Sequence, residues 1–181
     1  MDVISLVSLI QSKKNGGDGG SFPVNEFFAR TATELTLTGA TKLGQGSLYQ
    51  CTTLEKLYLP DVTEISSGAI SGCTNLSNIV MGENLVTIGG TATSAIAGSI
   101  NLKSLTIPSS VKTLAWNGLT GATGLETVTF LGKPELIGSV FNSTALPTSV
   151  KTINVPWAEG EVSGAPWGAT SAQINYNYKG D

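Results

Sequence analysis

An apolar residue, any residue and a second apolar residue recur along this chain as a triplet. It appears at Leu35/Leu37, Leu57/Leu59, Ile79/Met81, Leu105/Ile107, Val128/Phe130 and Ile153/Val155, with a weaker seventh copy at Ile174/Tyr176. The strong copies return at a nearly constant period, and the interval from Ile79 to Leu105 is the longest. A leucine usually stands three positions upstream, at Leu54, Leu76, Leu102 and Leu125, with Val150 in the sixth copy. A second apolar cluster follows each triplet, at Val62/Ile65, Leu85/Ile88, Val111/Leu114 and Leu136/Ile137. Residues i and i+2 of a strand point to the same side. Each triplet therefore predicts a short strand that turns two side chains inward, with the upstream leucine and the downstream cluster at the corners. One such unit is too thin to bury its apolar face, but stacked units close a continuous core. Pro60, Pro108 and Pro156 follow triplets and stop the strand, because proline has no N–H for the ladder. The pattern predicts a parallel-stranded solenoid of about six rungs, with one long sheet and irregular or short helical turns opposite.

The rungs also share wording. Cys51-Thr-Thr-Leu54-Glu-Lys-Leu57-Tyr-Leu59-Pro60 and Cys73-Thr-Asn-Leu76-Ser-Asn-Ile79 are the clearest copies, and Ser67-Gly-Ala69-Ile70-Ser-Gly72-Cys73 supplies a repeated corner. Over about residues 31–156 this resembles the BspA-like leucine-rich repeat family, with Ile70 in the place where the family carries phenylalanine. Ser99 and Ala122 stand near where its cysteine is expected, and 91–98 carries an insertion. The resemblance implies a leucine-rich-repeat solenoid that binds or displays.

The two ends depart from the repeat. Val3, Ile4, Leu6, Val7, Leu9 and Ile10 leave only a narrow serine stripe (Ser5, Ser8, Ser12) at helical spacing. Asp2 suits the start of such a helix, Lys13-Lys14 its C-terminal dipole, and Asn15-Gly16 its end. A helix this short is marginal alone and this one is too apolar to stand free in water. Two roles are open to residues 1–14: an oligomerisation or docking peg tethered by the glycine-rich linker 15–21, or a cap on the first rung. The stretch Phe22-Pro-Val-Asn-Glu-Phe27-Phe28 offers a cap of its own, which favours the peg. The solenoid is expected over 22–156. Residues 157–181 are rich in proline and aromatics (Trp157, Pro166-Trp167, Tyr176, Tyr178) and read as an aromatic cap. This tail resembles the endings of leucine-rich-repeat chains from gut Firmicutes and their phage tail-associated proteins. The resemblance implies a virion (phage tail) or bacterial cell-surface location.

Composition then removes function classes. A net charge of −3, a pI near 4.9 and scattered Lys and Arg argue against nucleic acid or an anionic membrane as partner. No run approaches the roughly 20 apolar residues of a membrane span. The apolar N-terminal stretch follows Asp2 rather than a basic region, so no signal peptide is read there. The absence of histidine removes Ser-His-Asp and Cys-His catalysis and the commonest metal ligand. Glu55 and Glu126 share a repeat position but stand three rungs apart, about 14 Å at a strand spacing of ~4.8 Å. That exceeds the separation glycosidases use. No enzyme activity, cofactor or metal is expected. Cys51 and Cys73 occupy equivalent places in successive rungs and read as two small buried thiols, with a disulfide geometrically conceivable. The sequons Asn75-Leu-Ser77 and Asn142-Ser-Thr144 read as coincidence.

What remains is the outward strand face. Thr36, Tyr58, Val80, Thr106, Thr129 and Asn154 lie between the inward pairs, flanked by Glu34, Lys56, Asn78, Ser104, Thr127 and Thr152. Two readings stand: a surface that binds a cell-surface protein or glycan, or solvated strand positions filled with good β-formers. Lys56, Tyr58, Asn78, Ser104, Thr106, Thr129 and Asn154 are the candidate contacts. Trp116 and Trp157 look exposed and suited to stacking on sugars, although Trp157 also reads as cap.

Overall fold

The computed structural model describes residues 31–90, 92–138 and 144–180. The helix expected at 1–14, the linker 15–21 and the Phe22–Phe28 stretch lie outside the described residues. Fifteen short strands are found among those described, essentially without helix.

The first coil contributes β1 (Glu34–Thr36), β2 (Lys42–Leu43) and β3 (Leu48–Tyr49). The second repeats them as β4 (Lys56–Leu59), β5 (Glu64–Ile65) and β6 (Ile70–Ser71), and the third as β7 (Asn78–Met81), β8 (Thr87–Ile88) and β9 (Ile96–Ala97). The fourth holds β10 (Ser104–Ile107) and β11 (Thr113–Ala115), the fifth β12 (Thr127–Phe130) and β13 (Leu136–Gly138). β14 (Thr152–Asn154) and β15 (Gln173–Asn175) complete the stack. All pairings are parallel, and they join successive triplets except Ile79/Met81 and Leu105/Ile107: Leu35 lies opposite Leu57, Leu57 opposite Ile79, Leu105 opposite Val128, and Val128 opposite Ile153.

Two features differ from the sequence expectation. Strands recur on three sides of the coil rather than one, because the turns are too short for helix and carry β-branched residues such as Ile65, Ile70 and Ile88. The first side is also not one long sheet. It divides into β1-β4-β7 and β10-β12-β14-β15, whereas the second side runs unbroken as β2-β5-β8-β11-β13. The division falls across the longest coil, the one that runs from Ile79 to Leu105. Register is recovered on the second side, where Thr87 faces Thr113, and on the third, where Gly98 N–H donates to the Gly121 carbonyl at 2.9 Å. The interruption is confined to the first side.

The corners explain the repeated wording. Leu54, Leu76, Leu102 and Leu125 each donate their N–H to the carbonyl three positions back, at Cys51, Cys73, Ser99 and Ala122, over 3.0–3.3 Å. This is a β-turn whose first residue points into the core. Its side chain must be small, and all four are buried. At two of the four corners the preceding residue is a glycine of positive φ, +76° at Gly72 and +68° at Gly98, where a Cβ is disfavoured. Cys51 and Cys73 remain thiols within this stack. The Cys73 thiol donates to the Leu48 carbonyl at 3.1 Å, and its contact with Cys51, reinforced by burial, pushes its pKa far above the ordinary thiol range.

The core is a column of inward leucines, isoleucines and valines, with Leu57, Ile65, Leu76, Leu114 and Val128 fully buried. At the C-terminal end it widens into aromatics. Phe130 meets Trp157 edge-on at 5.4 Å between ring centres and Trp167 at 6.2 Å, and the two tryptophans are 6.1 Å apart. The Trp167 indole N–H donates to the Ser163 carbonyl at 2.8 Å, so the buried ring leaves no unpaired donor.

Coils approach closely at Gly124, where an added Cβ would run into the Ile100 carbonyl of the coil below. Gly160 has positive φ, but a Cβ added there would meet nothing within 4 Å. Gly124→Ala is expected to destabilise by about 1–3 kcal/mol through backbone displacement, and Gly160→Ala by only about 1 kcal/mol. Urea unfolding followed by circular dichroism would compare them; equal midpoints would contradict the close approach.

Candidate functional site

The outward residues of the first side are held by the inward ones. Because Leu57 and Leu59 are locked in the core, Tyr58 between them must face out, and the same alternation sets Val80, Thr106 and Thr129. The sequence-derived candidates separate into three groups.

Asn78, Ser104 and Thr106 are exposed and come together. With Ser77, Ile79, Val80, Met81, Glu83, Pro108 and Leu131 they line a cleft of about 370 Å³ where the first side divides. Tyr58 is half-buried and sits in an adjoining shallow hollow of about 450 Å³, with Glu34, Thr36, Leu59, Pro60, Val80 and Gly82. Val80, 46% exposed, belongs to both. Lys56 lies at the edge of this group, its Nζ 3.6 Å from a Glu34 carboxylate oxygen.

Thr129 and Asn154 lie elsewhere, and their polar atoms are occupied. The Asn154 amide donates to the Thr129 hydroxyl at 3.0 Å, and Asn175 donates to the Asn154 carbonyl oxygen at 2.8 Å. Asn154 is only 9% exposed. Its expected place on an open face is corrected by this ladder, since a buried amide must find partners and finds them on the neighbouring strands. Trp157 is corrected in the same way. It is 4% exposed and packs against Phe130 and Trp167, so its ring offers no stacking surface. Trp116 is half-buried in the turn after β11.

Sequence reasoning did not find Glu83, Pro108 or Leu131 as part of the site. The available signal was the long interval from Ile79 to Leu105, which marks the coil where the ladder is interrupted.

Charge on the surface is largely paired between successive coils. Lys42 meets Glu64 at 2.9 Å, Lys112 meets Glu135 at 3.7 Å, and Lys133 meets Glu161 at 2.9 Å. Glu126 lies between Lys151 at 2.7 Å and Lys103 at 3.7 Å. All these groups are at least partly exposed, so each pair adds little. The Lys42 hydrogen bond, followed by that of the Ser66 hydroxyl, lowers the Glu64 pKa; Lys151, then Lys103, lowers that of Glu126. Among the described residues no three His, Cys, Asp or Glu side chains gather as a metal site, and no helix is long and apolar enough to cross a membrane.

Comparison with known proteins agrees with this architecture. The family model for the BspA type leucine rich repeat region matches residues 41–157 in six copies. No curated protein is matched by the chain. Among the solved structures that share the fold are two cell-surface or antigen proteins. One is a leucine rich cell surface protein from Faecalibacterium prausnitzii A2-165, 19% identical, with a TM-score of 0.51 over 83% of this chain and 33% of that one. The other is the pneumococcal vaccine antigen PcpA, 19% identical, with a TM-score of 0.54 over 80% of this chain and 41% of that one. The chain thus spans between 33% and 41% of the length of these two proteins, and the likeness is one of fold.

The lowered carboxyl pKa values predict an acid dependence of defined sign. A depressed folded-state pKa means that the stabilisation is present at neutral pH and disappears as pH falls through the folded value, below the ordinary 4.5. The Glu64→Gln, Glu126→Gln double variant is therefore expected to lose less stability than the parent between pH 5 and pH 3. Superimposable profiles of melting temperature against pH would contradict the pairing.

Proposed function

The chain belongs to the BspA-type leucine-rich repeat family, and from that premise we propose that it is a non-catalytic recognition module whose first side contacts a partner on a cell surface. One observation carries the reading. On a surface where most charges are paired between coils, two hollows adjoin at Val80 and bring an aromatic ring, an apolar patch and hydroxyl and amide groups together. Concave ground with a few convergent polar groups is what recognition uses. The fold neighbours, a cell surface protein and a pneumococcal antigen, support surface display.

In this reading residues 22–156 are the recognition domain and 157–181 close its end. Residues 1–14 are the attachment, joined through 15–21. Attachment through the apolar row Val3, Ile4, Leu6, Val7, Leu9 and Ile10 favours a second, more specific placement: a virion-borne protein docked to a tail through that segment, or self-associated by it.

Each part has its own test. Flow cytometry of labelled chain on bacterial and epithelial cells is expected to show binding that falls about tenfold, the loss of roughly 1.4 kcal/mol, on Tyr58→Ala, with a smaller loss on Lys56→Ala. Unchanged binding for both would remove the first side as the contact. Light scattering is expected to find the intact chain associated and a Leu6→Asp, Leu9→Asp variant monomeric; two monomers would end the self-association reading.

A further inference from the structure

The division of the first side leaves two strand edges facing each other without a ladder. Elsewhere on this side, adjacent N–H groups of one coil share a carbonyl of the coil below. Glu55 and Lys56 share that of Thr33 at 2.8 and 3.1 Å, Ser77 and Asn78 that of Glu55 at 2.9 and 3.1 Å, and Glu126 and Thr127 that of Lys103 at 2.8 and 3.1 Å. The corresponding bonds from Lys103 and Ser104 to the Ser77 carbonyl are not made, and β7 and β10 do not pair. At the far end Pro108 has no N–H to give the Met81 carbonyl. Between these points the alternation of a parallel ladder turns backbone groups of Ile79 and Met81 toward the gap from one edge, and of Ser104 and Thr106 from the other. Such groups require partners. The opening reaches the core: Ile79 and Met81 keep 7% and 9% exposure, against 0% and 1% for Leu57 and Leu59 one coil below.

We infer that the cleft between β7 and β10 is a saccharide-binding subsite, selective for a neutral or amine-bearing sugar. This rests on the reading that the first side contacts a partner. Cα atoms of the two strands still approach within 8 Å. An inserted peptide strand would need two ladder spacings, about 9.6 Å, so β-augmentation does not fit. Sugar hydroxyls do fit, because each donates and accepts and can bridge an edge of alternating N–H and C=O groups. The cleft volume of about 370 Å³ lies within the range of small-ligand sites. Val80 and Leu131, 46% and 52% exposed, offer apolar ground to the C–H face of a ring. The neighbouring hollow places Tyr58 where a second sugar of a chain can stack.

Charge selects among sugars. The Ser109 hydroxyl donates to one Glu83 oxygen at 3.0 Å, leaving the other without a partner among the described residues. A carboxylate there accepts from a hydroxyl or ammonium group and repels an acidic sugar. No cation offsets it within the cleft lining, and Lys103 on the next coil is turned to the Ile100 carbonyl at 3.3 Å and to Glu126.

The full chain would be screened on an array of neutral, amine-bearing and acidic glycans, and the strongest hit titrated calorimetrically. Hits among neutral or amine-bearing glycans are expected. Thr106→Trp and Ser104→Phe, which fill the cleft, should weaken binding at least tenfold, and Thr152→Trp, on the same side but outside it, less than twofold. Glu83→Gln, an isosteric exposed change, should admit acidic glycans, and it carries the test if the bulky variants melt early. Hits confined to acidic glycans would overturn the inference, as would parental affinity in the cleft variants with acidic glycans still excluded by Glu83→Gln. So would an empty array. If cell binding still depends on Tyr58 in that case, the first side remains the contact and its partner is a protein.

Discussion

Each coil of this protein has two open edges and half of an apolar core, and neither is satisfied until another coil stacks on it. This mutual requirement governs the rest of the structure. A strand this short has no stability alone. Its inward pair becomes a core only when the pair above and the pair below are in register. Leu57 between Leu35 and Ile79 shows the arrangement, and its complete burial is the result. The small residues at Cys51, Cys73, Ser99 and Ala122 follow from the same requirement, since a larger side chain at the turn would hold two coils apart.

The surface obeys a corresponding rule. Outward positions on adjacent coils are close enough to pair, so lysine meets glutamate, and amide meets hydroxyl or amide, from one coil to the next. The ladder Thr129–Asn154–Asn175 and the bridge Lys103–Glu126–Lys151 use this proximity. A side chain engaged along the stack is less available to a partner. On the first side, open ground lies where stacking is interrupted, between β7 and β10, and beside it at Tyr58 and Val80. The cleft of this side thus lies at an irregularity in the repeat rather than in the repeat itself.

The repeat itself was legible with little loss. Triplets returning at a nearly constant period mark the strands of the first side, and the structure pairs them copy to copy on either side of the break between β7 and β10. The upstream leucines are where the chain turns, each closing a bond to the third position before it. These features are local or periodic, and a period in sequence becomes a stack in space whatever its details. The candidate site was legible in part. Asn78, Ser104, Thr106 and Tyr58 were identifiable from alternation alone; Glu83, Pro108 and Leu131 were not, because they join the site only where two coils separate.

Sequence alone determined which side chains of the first-side strands face in, how the coils are ordered, and that the outward strand positions are nearly neutral. Tertiary structure decided which outward positions stay open. Asn154 and Thr129 look as available as Asn78 and Thr106 in the pattern, yet the first pair is bound into a ladder and the second borders a cleft. Trp157 looks like a stacking surface and is instead core. The physical reason is that alternation sets the direction of a side chain, whereas its availability depends on what the next coil places opposite. That depends on whether a coil as long as the one from Ile79 to Leu105 can keep ladder spacing on every side at once.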